Sequence, residues 1–177
     1  MKKIQNLIEN IGLCIPECNT ESLSSSSPKT FDPDTILHWL YENLSKQNLI
    51  VYEEWKEYNG YIPDFETLQN ITLPVEPNDF IFTLIDNIDW SESTIDPYDI
   101  PYYIPWLEHI NHYLKPHGVR LVNILPFENA YIMCLRDDDT LIKNLDLSLK
   151  NFGMGIDKRE PLDQQEVSLE MNSVISG

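Results

Sequence analysis

Three aspartates in a row, Asp137, Asp138 and Asp139, follow the apolar run "AYIMCL". Carboxylates at a strand end can hold a nucleophile and a magnesium ion for phosphoryl transfer. That chemistry needs Asp-x-Asp-x-(Thr or Val), so that two carboxylates face one phosphate and one metal. Here Thr140 comes one position early and Leu141 occupies the place of the small β-branched residue. The motif fails, and the acids read instead as the N-terminal cap and first turn of a helix, where they meet free N–H groups and the positive end of the helix dipole.

In "EHINH", His109 and His112 stand three apart on one helical face with Glu108 beside them. A zinc hydrolase motif puts its histidines four apart with the glutamate between them, so the spacing does not build that site. Cys14 and Cys18 flank Pro16 in a C-x3-C arrangement that has no second pair, and Cys134 reads as a small core residue in a strand. No glycine-rich phosphate loop and no nucleophile elbow is present. No catalytic residue, metal ligand or cofactor is therefore expected.

The remaining unusual stretch is "DNIDWSESTIDPYD", continued by "IPYYIPW". Asp86, Asp89, Glu92, Asp96 and Asp99 alternate there with Trp90, Tyr98, Tyr102, Tyr103 and Trp106, between prolines that stiffen the chain. Large aromatics ringed by charges of one sign are the composition of a protein-binding hot spot, and prolines lower the cost of ordering it. The plainer reading packs these rings against the body of the protein, as expected for Trp106 and one tyrosine. The candidate partner-binding set is Asp86, Asp89, Trp90, Glu92, Asp96, Tyr98, Asp99, Tyr102 and Tyr103.

The elements that would carry this segment follow from periodicity. Ile4, Leu7, Ile8 and Ile11 predict an amphipathic helix stopped by Gly12, and "ESLSSSSPK" reads as a flexible linker within residues 21–31. Asp32 as N-cap, Pro33 at the first helical position and Ile36, Trp39, Leu40 and Leu44 on one face define a second helix. Residues 47–58 fit helix or strand, with helix preferred. "FIFTLID" predicts a buried strand, and Pro105 starts a helix with Trp106, Leu107, Ile110, Tyr113 and Leu114 inward, closed by Pro116, His117 and Gly118. "VRLVNIL" and "AYIMCL" predict a hairpin joined by "PFEN", followed by a helix over "TLIKNLDLSLKNF", a stop at Gly153 and a strand at "MGIDK".

Residues 80–158 thus read β-α-β-β-α-β, an α+β fold of the ferredoxin-like split arrangement with helices on one face of an antiparallel sheet. A helical part, residues 1–60, precedes it and a loose tail, 159–177, follows; all belong to one domain.

The chain has 177 residues and a formal net charge of −17. Between Lys56 and Lys115 there is no lysine or arginine, while eleven acids fall there, from Glu57 to Glu108. Such a field disfavours nucleic acid and anionic membrane surfaces and favours a cationic partner. Three cysteines do not make a secreted disulfide framework, and no export signal or membrane span is read, so a cytoplasmic location is expected.

On "FIFTLIDNIDW", "LEHINHYLKPHGVRLVNI" and "NAYIMCLRDDDTLIKNL", the chain resembles the small acidic immunity proteins that bacteria pair with polymorphic toxins, including those of contact-dependent growth inhibition. The resemblance covers residues 80–158. It implies a non-enzymatic cytoplasmic inhibitor that binds one cognate toxin domain, in many cases a nuclease with a basic groove. The alternatives are a regulatory or adaptor domain for another protein or a small molecule, and an acidic metal-dependent hydrolase.

Overall fold

The computed structural model describes residues 2–53, 66–76, 91, 93–96, 103–127 and 131–175. Helix α1 (Lys2–Cys14) buries Ile4, Leu7, Ile8 and Ile11 as the periodicity requires. Gly12 lies inside it and does not stop it; a Cβ there would meet Thr20 Cγ2 at 2.9 Å, so glycine lets the next element approach.

That element is α2 (Thr20–Ser25), which takes up the first part of the linker expected over residues 21–31 and leaves 26–31 irregular. Its N-cap Asn19 accepts from the Glu21 N–H, and the hydroxyls of Ser22, Ser24, Ser25 and Ser26 donate back to carbonyls three or four residues earlier. Leu23, fully buried, is its anchor. Helix α3 (Pro33–Ser45) starts as the sequence indicates, with Asp32 accepting from the Thr35 N–H at 2.9 Å.

Residues 50–52 form strand β1 (Ile50–Tyr52), where a helix was preferred. The β-branched pair Ile50 and Val51 alternates between the two sides of a sheet, so burial on both sides decides against the helix. The strand predicted at "FIFTLID" lies outside the described residues. Helix α4 (Trp106–Leu114) begins after Pro105, and a short 3₁₀ turn, Lys115–His117, closes on Gly118 at φ 72°. Then come β2 (Val119–Leu125), β3 (Tyr131–Arg136), α5 (Asp139–Lys150) and β4 (Gly155–Asp157).

The expected loose tail is instead α6 (Gln164–Ile175), with Val167, Met171 and Ile175 buried at four-residue spacing. Asp163 and Glu166 begin it with a reciprocal capping box: each side chain accepts from the other's backbone N–H, both at 2.8 Å.

The strands form one antiparallel sheet in the order β1-β3-β2-β4, a mixed α+β architecture. The ferredoxin-like pairing is not the one observed. There the last strand would join the first, whereas β4 pairs with β2, so the hairpin is central. Helices on one face are likewise not observed. Both crossovers, β1 to β2 and β3 to β4, step the same way across the sheet, on strands that run in opposite directions. Right-handed connections of that kind must fall on opposite faces.

Alternation along the strands confirms the two faces. Val122, Ile124, Met133 and Leu135 join α1, α3 and α5 in one core, while Leu121 and Ile132 join α4, α6 and the 66–76 segment in the other. No helix among the described residues is long and apolar enough to cross a membrane.

Candidate functional site

The two-sided sheet divides the described lysines, while acids lie on both layers, with Glu9, Glu21, Asp34, Glu42, Asp139 and Asp146 on α1, α2, α3 and α5. Lys2 and Lys3 on α1, Lys29 and Lys46 flanking α3, and Lys143 and Lys150 on α5 all belong to the first layer. On the α4 and α6 side the described bases are Lys115 and Arg159, with Lys158 at the end of β4. The described acids of that side are Glu53, Glu76, Asp96, Glu108, Glu160, Asp163, Glu166 and Glu170.

Internal pairing removes cations from the surface. Arg159 Nη1 donates to Glu108 Oε1 at 3.1 Å and its Nε to Asn123 Oδ1 at 2.7 Å, so it serves α4, β2 and the chain after β4. Arg120, its side chain only 6% exposed, lies 2.6 Å from Asp137, 3.1 Å from Glu160 and 3.7 Å from Asp139. These pairs engage Asp137, Glu108 and Glu160, of which Glu160 stays exposed together with Glu76, Asp96, Glu166 and Glu170.

Of the predicted partner-binding set, Asp96 and Tyr103 are described. Both are exposed, Tyr103 to 49%, and each stands beside an isoleucine held in the second core, Ile95 and Ile104. The segment's described ends are thus tied to the α4 and α6 side with their polar neighbours outward. Asp86, Asp89, Trp90, Glu92, Tyr98, Asp99 and Tyr102 lie outside the described residues. Trp106 packs in the core as expected.

The other chemistry-bearing residues separate. Asp138 caps α5, its Oδ1 accepting from the Thr140 and Leu141 N–H groups at 2.9 and 3.0 Å, and Asp139 sits in the first turn. Asp137 departs from the capping reading and pairs with Arg120. His109 is fully buried with its ring edge-on to Tyr113, and His112, exposed, sets its ring edge-on to the same tyrosine. Among the described residues no group of three His, Cys, Asp or Glu side chains is placed to hold a metal ion.

Burial pushes the thiols of Cys14 and Cys18 up to about 11; for Cys14 the charge of Asp138 adds to this and Arg136 opposes it. Burial and the charge of Glu17 push Cys134 up to about 12. Nucleophilic attack uses the thiolate, the form that burial disfavours at all three cysteines.

No family model matches the chain, and no curated protein or solved structure is significantly similar to it.

Two features escaped the sequence reading. Asn111, fully buried, accepts from the Leu121 N–H at 2.7 Å and donates to the carbonyls of Leu121 and Arg159 at 2.8 Å each. A lone asparagine on a helix carries no signal of this. The acids of α6 also join the acidic side, and the spacing of Val167, Met171 and Ile175 behind Asp163-x-x-Glu166 was the signal that could have found them. A cleft of about 530 Å3 opens between the end of α1, residues 47–49, Ile71 and Thr72 of the 66–76 segment and the β2 and β3 ends, with Cys14, Cys134, His117 and Arg136 among its walls.

Proposed function

We propose that this chain is an immunity-type inhibitor that neutralises a cognate toxin by docking its acidic, aromatic side on a basic protein domain. The observation that supports the reading is the scarcity of bases on the α4 and α6 side. The described acids of the lysine-free and arginine-free window and those of α6 share one side of the sheet, and both Arg120 and Arg159 are held in internal ion pairs.

Carboxylates in excess of their counter-charges imitate a phosphate backbone. They speed encounter with a basic groove and penalise acidic non-cognate surfaces, while buried aromatics slow release. A nuclease groove is basic for the same reason that DNA attracts it. In this reading Asp86, Asp89, Glu92, Asp96 and Asp99 supply the field and Trp90, Tyr98, Tyr102 and Tyr103 the contact area.

The test is a toxin domain encoded next to this chain. The purified domain should form a one-to-one complex whose affinity falls with salt and falls further when Asp89, Glu92 and Asp96 are replaced together by Asn, Gln and Asn. A salt-independent complex, or wild-type affinity in the triple variant, rejects the electrostatic mechanism. The second reading, a regulatory domain for a small ligand, is supported by the cleft beside Arg136 and His117; a ligand displaced by changes there and indifferent to the triple variant would favour it.

A further inference from the structure

Helix α6 has two stripes. Val167, Met171 and Ile175 face the second core, and the positions between them, Glu166, Leu169, Glu170, Ser173 and Val174, face solvent. Their spacing of three and four residues gathers them into one outward band. Leu169 is 62% exposed, the most exposed of the large apolar side chains described.

An isolated exposed leucine is ordinary. This one sits between two glutamates, on a helix with no lysine or arginine anywhere from Glu160 to its end. The helix start is fixed by its capping box, and the Leu162 N–H on the Glu108 carbonyl at 3.0 Å ties the residues just before it to α4. A rigid apolar centre rimmed by like charges fits a complement with the reverse sign.

We propose that the outward band of α6 is a docking surface for a basic amphipathic segment of a partner protein, with Leu169 as the apolar anchor and Glu166 and Glu170 as the charged rim. This rests on the reading that the acidic side binds a basic protein, and it extends that interface to the C-terminal helix. The partner segment carries a leucine-sized apolar group flanked by lysines or arginines at helical spacing.

The probe is a synthetic 14-residue helical peptide of leucine and lysine, titrated into the full chain and followed by amide NMR shifts and fluorescence anisotropy. The shifts should centre on Glu166, Leu169, Glu170, Ser173 and Val174. Leu169→Ser should weaken binding about tenfold, and Glu166→Gln with Glu170→Gln should flatten its salt dependence. The matched change Leu147→Ser on the exposed face of α5 should leave binding unchanged, and thermal unfolding verifies that each variant is folded.

Unaltered affinity in both α6 variants, shifts centred elsewhere, or no binding at millimolar peptide overturns the proposal. If the triple variant at Asp89, Glu92 and Asp96 weakens binding while the α6 variants do not, α6 is excluded and the broader inhibitor reading stands. If neither set matters, both fail.

Discussion

Replacing Asn111 by alanine should destabilise the protein far more than a surface polar residue would. The pairing of β2 with β4 runs from Leu125↔Gly155 to Asn123↔Asp157, and the next partner of Leu121 would be Arg159. The chain leaves the ladder there, with Arg159 at φ 46°, and the Asn111 amide fills the gap, bonding both polar groups of Leu121 and the Arg159 carbonyl. Alanine leaves one N–H and two carbonyls in a site closed to solvent. An orphaned buried donor costs about 1–3 kcal/mol and each lost carbonyl bond about 0.5–1.5 kcal/mol, so the total is roughly 2–6 kcal/mol.

For a chain of this size each kcal/mol moves Tm by about 2–4 °C, which gives a fall of roughly 4–24 °C. The assay is urea and thermal unfolding, with hydrogen exchange at the Leu121 amide as the local readout. In Asn111→Asp the acceptor for Leu121 survives, but a carboxylate faces two carbonyls; only its protonated form can donate, so that variant should gain stability as pH falls. A loss under about 1 kcal/mol in Asn111→Ala, with Leu121 still protected, would refute the ladder-bridging role.

Arg120→Met should cost about 3–5 kcal/mol, because it strands Asp137, whose side chain is only 12% exposed; adding Asp137→Asn should recover most of the loss, as denaturant titration of both variants will show. The pairs of Arg120 to Asp139 and Glu160 contribute little to that figure, since those carboxylates are 74% and 64% exposed. Met171→Ala should cost about 2–5 kcal/mol in the same assay, against nearly nothing if the C-terminal segment did not pack. The native thiols should resist Ellman's reagent at pH 8. Their raised values, about 11 for Cys14 and Cys18 and about 12 for Cys134, imply a stability contribution complete below the ordinary thiol range near 9 and lost as pH rises toward 11 to 12, measurable as a falling denaturation midpoint.

Where a segment's own spacing decides its structure, the sequence sufficed. Asp32 and Pro33 start α3, Pro105 starts α4, Gly118 and Gly153 take the positive φ that ends two helices, and the alternation in β2 and β3 marks the hairpin. The serine run defeated composition rules, because its hydroxyls satisfy their own backbone carbonyls and Leu23 alone supplies the packing. Helix α6 was obscured by the polar residues between its three buried ones. The candidate surface was legible as composition, and Asp96 and Tyr103 do face outward, but its neighbours on α6 were not visible from the chain.

By itself the sequence determined the excess of acid, the window without a base, the aromatic interleaving, and most helix and turn positions, because each depends on residues within a few places of one another. Only the tertiary structure decided the rest. Which strand lies beside β2 is set by where two crossovers can pack without opposing the chain's handedness, and that order put α4 and α6 together on one face. Burying Val167 and Met171 there brought Glu166 and Glu170 to the acidic side, and the closing of Arg120 and Arg159 onto internal carboxylates kept their charge from cancelling it.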